Sequence, residues 1–156
     1  MAKATPIELN PAEPFADAAR RAVAVRAREL FEHSENVLDT TDIERVHDMR
    51  VATRRLRAAL EVFAAAFPPE EHKPVLRDVK RLADALGERR DPDVHLEEFT
   101  KLRAAMAPAD QPGVEVLLAD LREEQARGNR HLAAALDEAR DTDLEGRLRA
   151  LAGVEV

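Results

Sequence analysis

Apolar residues recur every three to four positions along almost the whole chain and nowhere alternate strictly with polar ones, so the pattern predicts helices and no strands. The first long helix runs from Phe15 to about Leu38, uninterrupted by Gly or Pro. Asp39-Thr40-Thr41-Asp42 stops it, and Thr41 or Asp42 supplies the cap of a second helix from about Ile43 to Ala66. Pro68 and Pro69 break the pattern again. A third helix follows from about Pro69 through Leu86, with Val75, Val79, Leu82 and Leu86 as its stripe and Pro74 as a late start or kink. Gly87 reads as a glycine just past a helix end, and Asp91-Pro92 as the N-cap and first position of a fourth helix reaching Met106. After Pro108 and Pro112, Val114 to Ala139 predicts a fifth helix weakened by Gly128, and Asp141 or Thr142 caps a short last helix to about Ala152. Long helices with short loops predict an all-α bundle of five to six antiparallel helices, four-helix-bundle-like. Residues 1–11 are expected to be a flexible leader and residues 12–156 a single helical domain.

The second helix has an unusual polar face. At about 100° per residue, His47, Arg50, Arg54 and Arg57 fall within roughly 80° of one another, opposite Met49, Ala52, Leu56, Ala59, Leu60 and Phe63. Arginine stays charged and presents paired donors to phosphate oxygens. At one-turn spacing, about 5 Å along the axis, such a row suits a repeating anion better than a single phosphate. His47 adds a donor that is neutral or charged according to pH. The plainer reading is a solvated helix face balanced by nearby acids. Between His47 and Arg57, however, the only carboxylate is Asp48, on another side of the helix, and Glu61 is the first acid to return to the strip.

Composition sharpens this picture. The formal net charge is −7 with 35% charged residues, which argues against general affinity for nucleic acid or anionic membranes and makes any anion site a local patch. The absence of Trp and Tyr removes the usual platforms for base stacking. With no cysteine there is no disulfide or thiolate metal site, and neither a signal peptide nor a membrane-spanning run is expected. The remaining histidines, His33, His72, His95 and His131, form no specific metal motif, so no metal or other cofactor is expected. His95 near Asp91 and His72 beside Glu71 read as surface polar residues, while His33 and Arg26 are candidates for satisfied interior groups. Ser34 is the sole serine, without a glycine-rich elbow, and no phosphate-cradling loop is present. Glu70-Glu71, Glu97-Glu98 and Glu123-Glu124 read as solvated charge.

The run Val46-His47-x-Met49-Arg50-Val51-x-x-Arg54-Arg55-Leu56-Arg57-x-x-Leu60-x-x-Phe63 resembles the signature helix of the CHAD family, the conserved histidine α-helical domain. Leu82 and then Leu86-Gly87-x-x-Arg90-Asp91-x-Asp93-Val94 resemble its next motif, in the same order. The helix ending in Leu132-Ala133-Ala134-Ala135-Leu136-Asp137 is similar to its linking helix, less specifically. The resemblance implies a non-catalytic module that binds inorganic polyphosphate through inward-facing basic residues, in some cases beside polyphosphate granules or triphosphate-tunnel enzymes; the cysteine-free chain without signal peptide or membrane run is expected to be cytoplasmic. Carried over by position, the ligands are His47, Arg50, Arg54 and Arg57, with Lys80 and Arg90 from the second motif; Arg26, Arg55 and Arg81 rank below them. The usual members contain two related halves, and the match here is to the first, for no second His-x-x-Arg-x-x-x-Arg-x-x-Arg arrangement follows Val114. The channel is then expected to be open or completed by another subunit, as in a homodimer with facing strips. The competing expectations are a helical interaction or regulatory module whose arginines pair with an acidic partner, and a phosphohydrolase accessory domain, which lacks an evident acidic metal set facing the strip.

Overall fold

The computed structural model describes residues 2–154; Met1 and residues 155–156, the outer ends of the expected leader and domain, lie outside them. Five α-helices and no strand occur among these residues: α1 (Phe15–Glu32), α2 (Glu44–Val62), α3 (Pro69–Ala105), α4 (Gln111–Asp141) and α5 (Leu144–Leu151), with a 3₁₀ turn at Ala64–Ala66. Each helix contributes residues at three- and four-residue spacing to one apolar cluster. They include Ala19, Val23 and Leu30 of α1, Val46, Met49, Leu56 and Leu60 of α2, Val75, Val79 and Leu86 of α3, Leu132 of α4, and Leu144 and Leu148 of α5. That cluster takes α3 only as far as Leu86 and α4 only from Leu132, so the distal halves of the two longest helices pack on each other as an antiparallel hairpin. No helix among the described residues is long and apolar enough to cross a membrane.

Several sequence-based boundaries need correction. Helix α1 stops at Glu32, six residues early, because the Ser34 hydroxyl donates to Phe31 O at 2.6 Å and Asn36 turns to φ 55°. The second helix gives way to the 3₁₀ turn after Val62. The largest correction concerns Gly87 and Asp91-Pro92, which neither end nor start a helix: α3 is one helix of 37 residues, about 55 Å long. Asp91 is therefore an exposed mid-helix residue and not a cap.

Tertiary packing from α4 carries the helix through Pro92. A proline there leaves the Glu88 carbonyl without its usual i+4 donor. Gly128 of α4 lies directly over that carbonyl, since a Cβ added to it would stand 2.9 Å from Glu88 O and 3.0 Å from Arg89 Cα. One turn is also clamped by fully buried Arg89 and Asp93, whose side chains pair across Pro92, while Gln125 of α4 donates to the other Asp93 oxygen at 2.6 Å. Gly128 thus sets helix spacing and is not merely a weak point of α4. Gly128→Ala is expected to destabilise the fold by about 1–3 kcal/mol, because only backbone can yield, and urea unfolding checks this.

Hydrogen bonds lay the leader along α1 and α2. Ala2 N–H donates to Asp48 at 2.8 Å, Arg55 donates to Ala2 O at 3.2 Å, and Glu29 accepts from both Thr5 N–H and Arg26. Burial pushes the Glu29 carboxyl up, but those donors outweigh it and hold the group below its ordinary range. His72 also departs from expectation: it is buried, stacked on Phe67 with centroids 5.9 Å apart, and its Nε2 donates to Leu60 O at 2.7 Å. It ties the start of α3 to the end of α2.

Candidate functional site

The polar flank of α2 lies beside the flank of α3 that carries Lys80 and Arg90, along the groove between the two packed helices, and the apolar registers of the two helices determine this. Val46, Met49, Leu56 and Leu60 turn into the core, which leaves His47, Arg50, Arg54 and Arg57 to one side. On α3, burial of Val75, Val79, Leu82 and Leu86 leaves Lys80 and Arg90 beside that same side. Two contacts mark the antiparallel register. Near one end Lys80 Nζ lies 3.6 Å from Glu61, which also accepts from Arg57 Nε at 3.1 Å. At the other end Arg90 Nη1 donates to Ile43 O at 3.5 Å, at the start of α2.

Arg57, Lys80 and Arg90 thus meet at the groove between the two helices, and His47, Arg50 and Arg54 lie along α2 between those two contacts. Arg50 and Arg54 are exposed, and neither has an ion-pair or hydrogen-bond partner among the described residues. Arg57 and Lys80 share one carboxylate between them, so that end keeps a net positive charge. The Arg57 hydrogen bond holds the Glu61 carboxyl below its ordinary range, and Glu61 remains an anion through neutral pH. Its bridging position was invisible in the sequence, where it stood only as the next acid on the strip.

The three lower-ranked arginines point elsewhere. Arg26 pairs with Glu29 at 2.9 Å and also donates to Thr5 O, which makes it the interior polar group foreseen as one of its two roles. Arg55 is occupied by the leader. Arg81 turns to α4, 3.0 Å from Glu138. At the start of α2, Glu44, His47 and Asp48 bring potential ligand atoms within 4.8 Å of one another, a grouping not anticipated from sequence. One Asp48 oxygen is already engaged by Ala2, and Glu44 is open to solvent.

A surface concavity of about 740 Å³ lies between α1 and α5 against Ala24, Phe31, Glu145 and Arg149 and shares no residue with the basic groove. Its charges are largely paired, Arg149 with Glu145 at 2.9 Å and Arg28 with Glu32 at 3.9 Å. The α2 strip differs in carrying guanidinium groups, Arg50 and Arg54, without a carboxylate partner among the described residues.

Residues 46 to 57 and 82 to 94, which form the two sides of the groove, lie within the region from residue 21 to 155 that matches the family model described as the CHAD domain. Two curated proteins of Mycobacterium tuberculosis are similar to the chain. Uncharacterized protein Rv2226 is 34% identical over 100 residues, and uncharacterized protein MT2285 is 33% identical over the same length. Each match covers 64% of this chain and 19% of the relative, so the chain corresponds to about a fifth of the length of those curated relatives. With the family model covering most of its length and both signature segments in place, the chain belongs to the CHAD domain family.

Proposed function

We propose that this protein binds inorganic polyphosphate along the α2–α3 groove, without catalysing its hydrolysis. The observation that carries the reading is the pair Arg50 and Arg54: two exposed guanidinium groups one turn apart on an acidic chain, with no carboxylate partner among the described residues. Like charges so placed repel unless an anion joins them. Arg90 extends the lane at one end, where the Glu44 and Asp48 carboxylates lie within 4.8 Å of His47, and Arg57 and Lys80 extend it at the other. Membership of a family linked to polyphosphate binding supports the same ligand. The groove is open to solvent, and a second copy with its strip facing the first would complete a channel. Association with cytoplasmic polyphosphate granules follows from the same reading.

Titration with polyphosphates of graded length, combined with molecular mass in solution, tests ligand and assembly together. Affinity is expected to rise with chain length and to fall steeply with salt through counterion release, while DNA and RNA compete poorly. A shift from monomer to dimer mass on adding long polyphosphate supports the paired channel. Equal affinity for orthophosphate and long chains would exclude the polymer reading, and a monomer mass at all concentrations would exclude the pairing.

A further inference from the structure

Helix α3 contains a glycine in its interior that its own fold does not require. Glycine within a helix is disfavoured relative to alanine, and it is usually kept by a positive φ or by close approach of another element. Neither applies to Gly87. Its turn is regular α-helix, and a Cβ built on it would meet no atom within 4 Å. Gly128, in the same fold, shows the opposite case, with backbone at 2.9 Å.

The surroundings of Gly87 supply a reason from outside the fold. It follows Lys80 by seven residues and precedes Arg90 by three, so at 100° per residue these three and Ala83 occupy one sector about 80° wide. Lys80 and Arg90 both reach across to α2, so this sector borders the groove opposite His47 and Arg50. Along the helix, Gly87 sits about 10 Å from the level of Lys80 and about 5 Å from that of Arg90. Asp84 and Asp91, at i−3 and i+4 from Gly87, are exposed on the outer edge of the sector, away from α2.

We propose that Gly87 forms the floor of the groove, a position kept without a side chain so that phosphoryl groups of a linear polyphosphate lie against α3 between Lys80 and Arg90. This role rests on the polyphosphate reading of the same site. A methyl group there adds to that of Ala83 one turn away and narrows the space in which the chain can lie against the α3 backbone. Fold and ligand then make opposite demands on one residue. Alanine improves the helix and fits the free protein, yet it obstructs the ligand.

The test measures thermal unfolding and long-chain polyphosphate binding for wild type, Gly87→Ala and Gly87→Leu. Gly87→Ala is expected to raise the melting temperature by about 2–4 °C and to weaken binding about tenfold, with Gly87→Leu weaker still. If wild type binds and Gly87→Ala binds equally well, the floor role is wrong. A lower melting temperature for Gly87→Ala would also overturn it, since the glycine would then serve the fold. Failure of wild type itself to bind would sink the functional reading, and that outcome is read separately from the variants.

Discussion

Replacing Arg50, Arg54 and Arg57 together by Gln is expected to lower affinity for long-chain polyphosphate about a thousandfold while leaving the helical circular dichroism spectrum unchanged. A charge-assisted hydrogen bond contributes about 1.5–3 kcal/mol, so three at the lower figure give about 4.5 kcal/mol, and 1.4 kcal/mol is tenfold. Gln and Arg have similar helix propensities, and none of the three arginines is in the apolar cluster, so the helix should persist. Loss of three phosphate contacts should also make the plot of log affinity against log salt shallower by about 2. Glu61→Gln provides a control of opposite sign. Glu61 is the internal anion that competes for Arg57 and Lys80, and removing its charge should tighten binding about two- to fivefold, the range of an exposed ion pair. Weaker binding by Glu61→Gln would show that the carboxylate positions Arg57 for the ligand.

Asp93→Ala is expected to cost about 3–5 kcal/mol of stability and to lower the melting temperature by about 10 °C. Arg89 is fully buried, and its Nε and Nη2 have no hydrogen-bond partner among the described residues, so Asp93 is its principal compensation. Without it, a guanidinium group remains in the α3–α4 interface with no countercharge. Arg89→Met should behave quite differently, within about 1 kcal/mol of wild type or more stable, because a buried ion pair is often no better than packed apolar side chains. Equilibrium urea unfolding of both variants separates the cases. A mild effect of Asp93→Ala would mean that Arg89 finds water or a new partner.

This pair also explains what the sequence concealed. Gly87 and Asp91-Pro92 carry the local signals of one helix ending and another beginning, and those signals are sound as local chemistry. They were overridden by residues more than thirty positions away: Gly128, which covers the Glu88 carbonyl, and Gln125, which joins the Arg89–Asp93 clamp. No window around Pro92 contains that information. His72 was misplaced for a similar reason, since its partner carbonyl, Leu60 O, lies on the preceding helix. The bundle itself was legible because spacing of apolar residues is a local property.

The candidate site divides along the same line. The strip of α2 was readable in full, because its four residues share one helix face. Lys80 and Arg90 were placed by motif, and only the antiparallel register of α2 and α3 shows that both border the strip. Arg26 and Arg81, ranked below them from the sequence, are each paired with an acid, on α1 and α4 respectively. Glu61 and Gly87 matter through what lies across the groove, and neither could be assigned from one helix alone.

The most direct test of the central claim is an amide NMR titration of the full chain with long-chain polyphosphate. The account predicts that resonances of residues 47–57 on α2 and 80–90 on α3 shift together and saturate, while those lining the α1–α5 concavity stay in place. Shifts confined to that concavity, or an unchanged spectrum, would contradict it.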